Sequence, residues 1–194
     1  MKKIKKILIG THNKGKYKEI SQLLSKKIKK ISPSYFKISV PKEIGKTFYQ
    51  NSLIKVNHFY KKSKVASISD DSGLEIHALK NKPGIYSARW AKKYGSFEKA
   101  MKKILKLLKS KKNRRARFVC CLSVKLSKKE TFSSEGKING IISEKILGKN
   151  GFGYDPIFIP NKSFKTFGQM TKRKKLKIDH RYLAFKKLKK KIKI

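Results

Sequence analysis

Acidic residues are scarce in this chain: 11 Asp and Glu stand against 53 Lys and Arg, a formal net charge of +42 at pH 7. Arginine is scarce as well, supplying six of those 53 cations. Arg is the side chain that forks onto phosphates and bases, and the lysines run through nearly every segment from Lys2 to Lys193 instead of gathering on one stretch. With only seven alanines, the charge reads as the composition of an A+T-biased genome ahead of a nucleic-acid-binding face. The two cysteines, Cys120 and Cys121, are adjacent and unsuited to bridge each other, and no CxxC or Cys/His spacing points to zinc, so a reducing, cytoplasmic setting is expected. Long apolar runs are missing too. The first run stops at Ile9, too short for a signal sequence, and nothing approaches the roughly 18 residues that span a bilayer. The basic stretch from Lys186 to Ile194 reads as a solvated helix end.

Core-forming residues are nevertheless present, at 38% hydrophobic and 10% aromatic. A length of 194 residues suits one domain, with no repeat, Gly/Ser linker or heptad to divide it. Strands are expected at Ile4 to Ile9, Tyr35 to Val40, Val65 to Ser69, Leu74 to Leu79 and, apolar on both faces, Phe118 to Val124. Shorter extended segments follow at Thr131 to Gly136, Ile138 to Ser143 and Pro156 to Ile159. Helices are expected over Tyr17 to Ile28, after the capping box Thr47-Phe48-Tyr49-Gln50, after Ser96, and from Asp179. Pro83-Gly84 marks a turn. Strands interleaved with helices argue α/β, and the late strands lie too close together for crossover helices, so the sheet is mixed.

Four loops combine polar groups with glycine or a helix start. Thr11-His12-Asn13-Lys14-Gly15-Lys16 lies at a strand-to-helix junction where helix amides and lysines suit an anion, without the Walker A pattern; taken alone, an ordinary helix start explains it better. Asp70-Asp71-Ser72-Gly73 places two carboxylates on opposite sides of an extended chain, suiting Mg²⁺ and water activation, or else a local turn. Gly151-Phe152-Gly153-Tyr154-Asp155-Pro156 offers backbone access and the flat rings of Phe152 and Tyr154, or an aromatic-glycine turn. Lys175 is followed by Asp179-His180-Arg181, where Asp179 is the expected N-cap and His180 and Arg181 sit in the first helical turn, against the helix dipole, which favours ligand contact over a structural role.

Taken together and in this order, the stretches THNKGKYKE (11–19), GKTFYQNSLIK (45–55), DDSGLEI (70–76), PGIYSAR (83–89), GFGYDPIF (151–158) and DHRYLA (179–184) resemble the noncanonical purine nucleoside triphosphate pyrophosphatases, or inosine/xanthosine triphosphate pyrophosphatases. The resemblance implies an elongated mixed sheet with flanking helices, forming two lobes around a central cleft, in a homodimer. It implies Mg²⁺-assisted hydrolysis of inosine, deoxyinosine or xanthosine triphosphate to the monophosphate and pyrophosphate. By position it makes Asp71 the catalytic acid and metal ligand and residues 11 to 16 the triphosphate loop. Ser72, Phe152, Gly153, Tyr154, Asp155, Lys175, His180 and Arg181 become nucleotide contacts, Phe152 stacking on the purine and His180 and Arg181 donating to its 6-oxo group. Where relatives often carry two consecutive acids this chain has Lys42-Glu43, leaving Glu43 as the second metal ligand. Gln50 stands where Glu is common and Asp179 where Ser is usual, both conservative as caps. Asp70 is expected to hold the loop or reach the metal through water. Two alternatives stand beside this reading: a related pyrophosphatase for another modified nucleotide, and a basic nucleic-acid-binding protein on the same scaffold.

Overall fold

Ile7 and Ile9 pack in one apolar cluster while Leu8, between them, packs in another, which is how a strand covered on both faces uses its two-residue period. That strand, β1 (Lys6–Ile9), belongs to a computed structural model that describes residues 4–192. It pairs in parallel with β2 (Lys29–Ile31) and with β3 (Ser67–Ile76). Two-residue β4 (Lys82–Pro83) pairs antiparallel with β3. The remaining strands are β5 (Arg115–Lys125), β6 (Thr131–Ile142) and β7 (Phe158–Pro160), the last antiparallel to β6. The sheet runs in the order β2-β1-β3-β5-β6-β7, with β4 beside β3, so it is mixed as expected. Helices are α1 (Lys14–Leu23), α2 (Phe48–Ser63), α3 (Ser87–Lys93), α4 (Phe97–Leu107), α5 (Lys172–Leu176) and α6 (His180–Lys189). Among the described residues, no helix is long and apolar enough to cross a membrane.

The chain divides into two compact units. The first comprises the chain up to Asp71, Cys120–Gly136, and the chain from Arg181 onwards. Its larger core joins Ile7, Ile9 and Ile68 to Cys120, Leu122 and Val124 and to Ala184, Phe185 and Leu188 of α6. Its smaller core holds Leu8, Ile31, Ile38, Phe59 and Val65. The second unit comprises Ser72–Val119 and Lys137–His180. Its core sets Leu74 and Ile76 with Met101 and Ile104 of α4 and with Phe118, Phe158 and Phe167.

Several expected boundaries move. The strand expected at Tyr35 to Val40 is instead a 3-10 turn at Pro33–Phe36, closed by Lys37 at φ 51°, a left-handed conformation that ends extended structure. The edge position is filled by β2, whose pairing with β1 decides the matter over local propensity. The segments expected at Val65 to Ser69 and Leu74 to Leu79 are joined in one continuous strand, β3 (Ser67–Ile76), with His77–Leu79 turning off as a 3-10 turn, so the Asp70-Asp71 pair sits inside the strand and not at its end. Likewise the two segments after Thr131 are the single strand β6, Gly136 passing through without a break. Ser96 caps α4, its Oγ accepting from the Lys99 amide at 3.1 Å. The capping box at α2 is only half formed: Thr47 Oγ1 accepts from the Gln50 amide, but Gln50 Oε1 accepts from the amide of Lys46, one residue before the cap. Of the C-terminal stretch, Lys186 to Lys189 close α6 and Lys190 and Lys191 follow in a turn, all exposed except Leu188, while Ile192 is buried like Leu188; Lys193 and Ile194 lie outside the described residues.

Candidate functional site

Helix α2 buries Phe48, Val56 and Phe59 on one face, and the same face carries Asn51, Ser52 and Lys55. Side chains four apart stack on one side of a helix, so Asn51 and Lys55 reach the same target: both oxygens of Asp71. Lys55 Nζ lies 3.2 Å from Asp71 Oδ1, and Asn51 Nδ2 donates to Asp71 Oδ2 at 3.2 Å. Lys55 also binds Glu43 Oε1 at 2.7 Å, and Asn51 Oδ1 accepts from the Gly45 amide at 2.8 Å. The irregular segment bearing Glu43 and Gly45 is thereby tied to Asp71 by two consecutive turns of α2. Ser52 anchors the helix behind them through a chain of hydroxyls to the buried Ser123 and on to the half-buried Ser133, 2.7 Å at each step.

Asp70, on the other side of β3, meets a different set of cations. Its Oδ2 lies 3.1 Å from Lys16 Nζ and accepts from Arg181 Nη2 at 3.0 Å, while Arg181 Nη1 binds Glu19. Arg181 is 1% exposed, the largest side chain so deeply buried among the described residues. Lys16 comes from the first turn of α1, whose N-cap is Asn13: its Oδ1 accepts from the Lys16 amide at 3.0 Å. Thr11 Oγ1 accepts from the Asn13 amide at 3.2 Å, while His12 and Lys14 are exposed, His12 with its ring 6.3 Å from Phe59; Gly15 is half-buried.

The electrostatics of the two acids differ accordingly. Burial alone would raise Asp70, but Lys16, Arg181 and Lys55 outweigh it and hold the carboxyl well below the ordinary range. Burial pushes Asp71 up; Lys55 and Lys16 oppose the rise, and Glu43 and Asp70 add to it. Burial also works against the Lys55 charge, yet Asp71, Asp70 and Glu43 together carry its pKa up to about 12, so the group is an ammonium at neutral pH.

In the second unit, Asp155 Oδ2 accepts from the Phe152 amide at 2.8 Å and from Lys175 Nζ at 2.6 Å. That ammonium also lies over the rings of Phe152 and Phe167, 4.8 and 5.5 Å from their centroids, so a buried cation is held by one carboxylate and two π faces. The turn is possible because Gly151, at φ 75°, has no side chain; a Cβ there would run into the Asp155 carboxylate. Phe152 is half-buried, but Tyr154 is 2% exposed, its ring edge-on to Phe97 and its hydroxyl donating to Ser87 O at 2.9 Å. The expectation that both rings offer flat surfaces is therefore corrected: Tyr154 belongs to the core. Ser72 is half-buried in β3 beyond Asp71, and Gly153 holds φ at 67° in the same turn as Phe152. His180 is buried and stacks on Phe118 at 4.8 Å and 10°.

Asn51 and Lys55 were not singled out from sequence. A signal was available: Asn51 and Lys55 occupy positions on the apolar stripe of α2, where a lysine is retained only with partners. For a metal, no group of three or more His, Cys, Asp or Glu is gathered among the described residues. The pair Asp71 and Glu43 still fits Mg²⁺, which binds proteins through one or two carboxylates and completes its shell with water and substrate phosphates. A single ammonium already brings both carboxylates together.

Comparison with known proteins adds three findings. The sequence model of the Ham1 family matches residues 7–191. The chain is 40% identical over 192 residues to a dITP/XTP pyrophosphatase from Bacillus subtilis and 39% identical over 197 residues to one from Clostridium perfringens, in each case covering 96% of both chains. Among solved structures it is similar to the Staphylococcus aureus Ham1 protein, with TM-score 0.85 and 38% identity over 96% of this chain and 97% of that one.

Proposed function

The chain belongs to the Ham1 family, and from that premise we propose that it hydrolyses noncanonical purine nucleoside triphosphates, those of inosine, deoxyinosine and xanthosine, to the monophosphate and pyrophosphate. The observation that carries the reading is the Asp71 carboxylate, buried and gripped at both oxygens beside a buried ammonium and a second carboxylate. A carboxylate so placed orients a water and takes its proton, and burial favours this by raising its affinity for that proton. The water oxygen bonds to the α-phosphorus, the bond from that phosphorus to the bridging oxygen breaks, and pyrophosphate leaves with the electron pair. Lys55 and Lys16 counter the negative charge of the triphosphate, and the amides at the start of α1, from Asn13 to Lys16, suit its oxygens. Asp71 and Glu43 would hold Mg²⁺, which when bound supplies charge neutralisation at the phosphates.

In the same reading Phe152 stacks on the purine and His180 donates to its 6-oxo group, where adenine presents an amino donor in place of an acceptor. Arg181 is assigned differently from the sequence reading: two carboxylates engage its guanidinium, so it braces Asp70 and, through it, Lys16. A homodimer and a cytoplasmic location complete the proposal. The test is pyrophosphate release from deoxyinosine triphosphate with Mg²⁺, in competition with the common nucleotides, for the wild type and Asp71→Asn. An inert wild type, or an Asp71→Asn enzyme at full rate, defeats the reading.

A further inference from the structure

Two rungs join the segment at 43–45 to Asp71, and they differ in kind. One is ionic: Lys55 between Glu43 and Asp71. The other is neutral: Asn51 between Gly45 and Asp71. We propose that Asn51 is a positioning residue for the hydrolysis described above, fixing the Asp71 carboxylate relative to the segment that carries Glu43 when an anionic ligand competes for Lys55. The proposal rests on that reading of the function.

The orientation of the amide follows from its partners. A backbone N–H only donates, so the Gly45 amide requires Asn51 Oδ1, and Nδ2 is left to donate to Asp71 Oδ2. An ionised carboxylate only accepts, so this pairing fits the form of Asp71 that takes a proton from water. The side chain is fully buried, leaving no water to substitute for a lost partner. Gly45 is part of the device: a Cβ there would stand 2.7 Å from Asn51 Oδ1 and 2.7 Å from Gln50 Cβ, so any larger residue pushes the segment off the amide. Lys55 cannot do this work alone. Its ammonium is the group that phosphate oxygens attract, and each contact it makes to them weakens its hold on Glu43 and Asp71. Asn51 carries no charge for a phosphate to compete for, so its rung persists through binding.

The experiment compares wild type, Asn51→Ala, Asn51→Asp and Gly45→Ala, with kcat and KM for deoxyinosine triphosphate, thermal melts, and hydrogen exchange of the Gly45 amide. Groups that orient a working carboxylate are worth about 10–100-fold in activity, so kcat is expected to fall by that factor with KM held within about threefold. Gly45→Ala is expected to follow in the same direction although Asn51 and Asp71 are chemically intact in it. Asn51→Asp keeps size and the acceptor for Gly45 but loses the donor to Asp71, and serves if the alanine variant does not fold. A folded Asn51 variant with kcat within about twofold of wild type, or a loss confined to KM, overturns the proposal. If the wild type itself releases no pyrophosphate, the functional reading has failed instead. The exchange measurement then decides the rung separately: the Gly45 amide exchanges faster in Asn51→Ala if Asn51 holds it, and unchanged exchange overturns the proposal.

Discussion

Asp70 and Asp71 are neighbours in one strand, both buried, yet they live in opposite settings. Asp70 faces Lys16 and the Arg181–Glu19 pair, where every group is matched by an opposite charge and the carboxyl is held below the ordinary range. Asp71 faces Lys55, Asn51 and, through Lys55, a second acid, so burial and like charge raise it. The first arrangement holds structure together and resists protonation. In the function proposed above, the second keeps a base poised. A strand that alternates its side chains between faces makes such a division of labour possible in two consecutive residues.

The sharpest way to break that contrast is to neutralise each acid in turn. Asp71→Asn is expected to lower kcat by about 10²–10⁴, the usual worth of a positioned base, with a melting temperature near that of wild type; pyrophosphate release and calorimetry check both. Asp70→Asn is expected to do the reverse, lowering stability first, and an equal loss of kcat at unchanged stability would erase the difference between the two acids. Next in size, Arg181→Ala leaves Asp70 and Glu19 buried with one partner fewer and should cost about 3–5 kcal/mol, read by urea unfolding, since breaking a buried pair strands a charge. Acid titration gives a smaller effect with a defined sign. Asp70 has its folded pKa depressed from the ordinary 3.8, so its contribution is complete above that value and is lost as pH falls below it; Asp70→Asn should flatten the loss of stability in that acid window. The smallest effect concerns the thiols behind the two acids. Burial pushes both up, Cys120 beside Arg181 and Asp70 further than Cys121 beside Ser52, so iodoacetamide should spare both in the native protein and reach Cys121 first as urea loosens it.

Legibility followed range along the chain. The α/β character, the caps at Thr47 and Ser96, the doubly buried strand around Cys120 and the acidic pair could all be read locally, since each depends on period, hydroxyl spacing or residue type within a few positions. The misplaced strand at Tyr35 to Val40 and the splitting of β3 and β6 came from the same locality. A three-residue edge strand such as β2 exists only because β1 is there to pair with it, and Gly73 or Gly136 looks like a break until neighbouring strands hold it in line.

What the sequence determined by itself was the inventory and its order: two adjacent carboxylates in an acid-poor chain, a helix-start loop rich in lysine, and a glycine-bracketed aromatic turn. The tertiary structure alone decided who is paired with whom. Arg181 is 111 residues from Asp70 and 162 from Glu19, and Asn51 is 20 from Asp71. Over such separations no local propensity constrains a contact; packing of the elements does, and the low dielectric of the interior then turns each contact into a requirement. Opposite faces for Asp70 and Asp71 were implicit in an extended chain, but only the helices packed on those faces made one acid a brace and the other the candidate base.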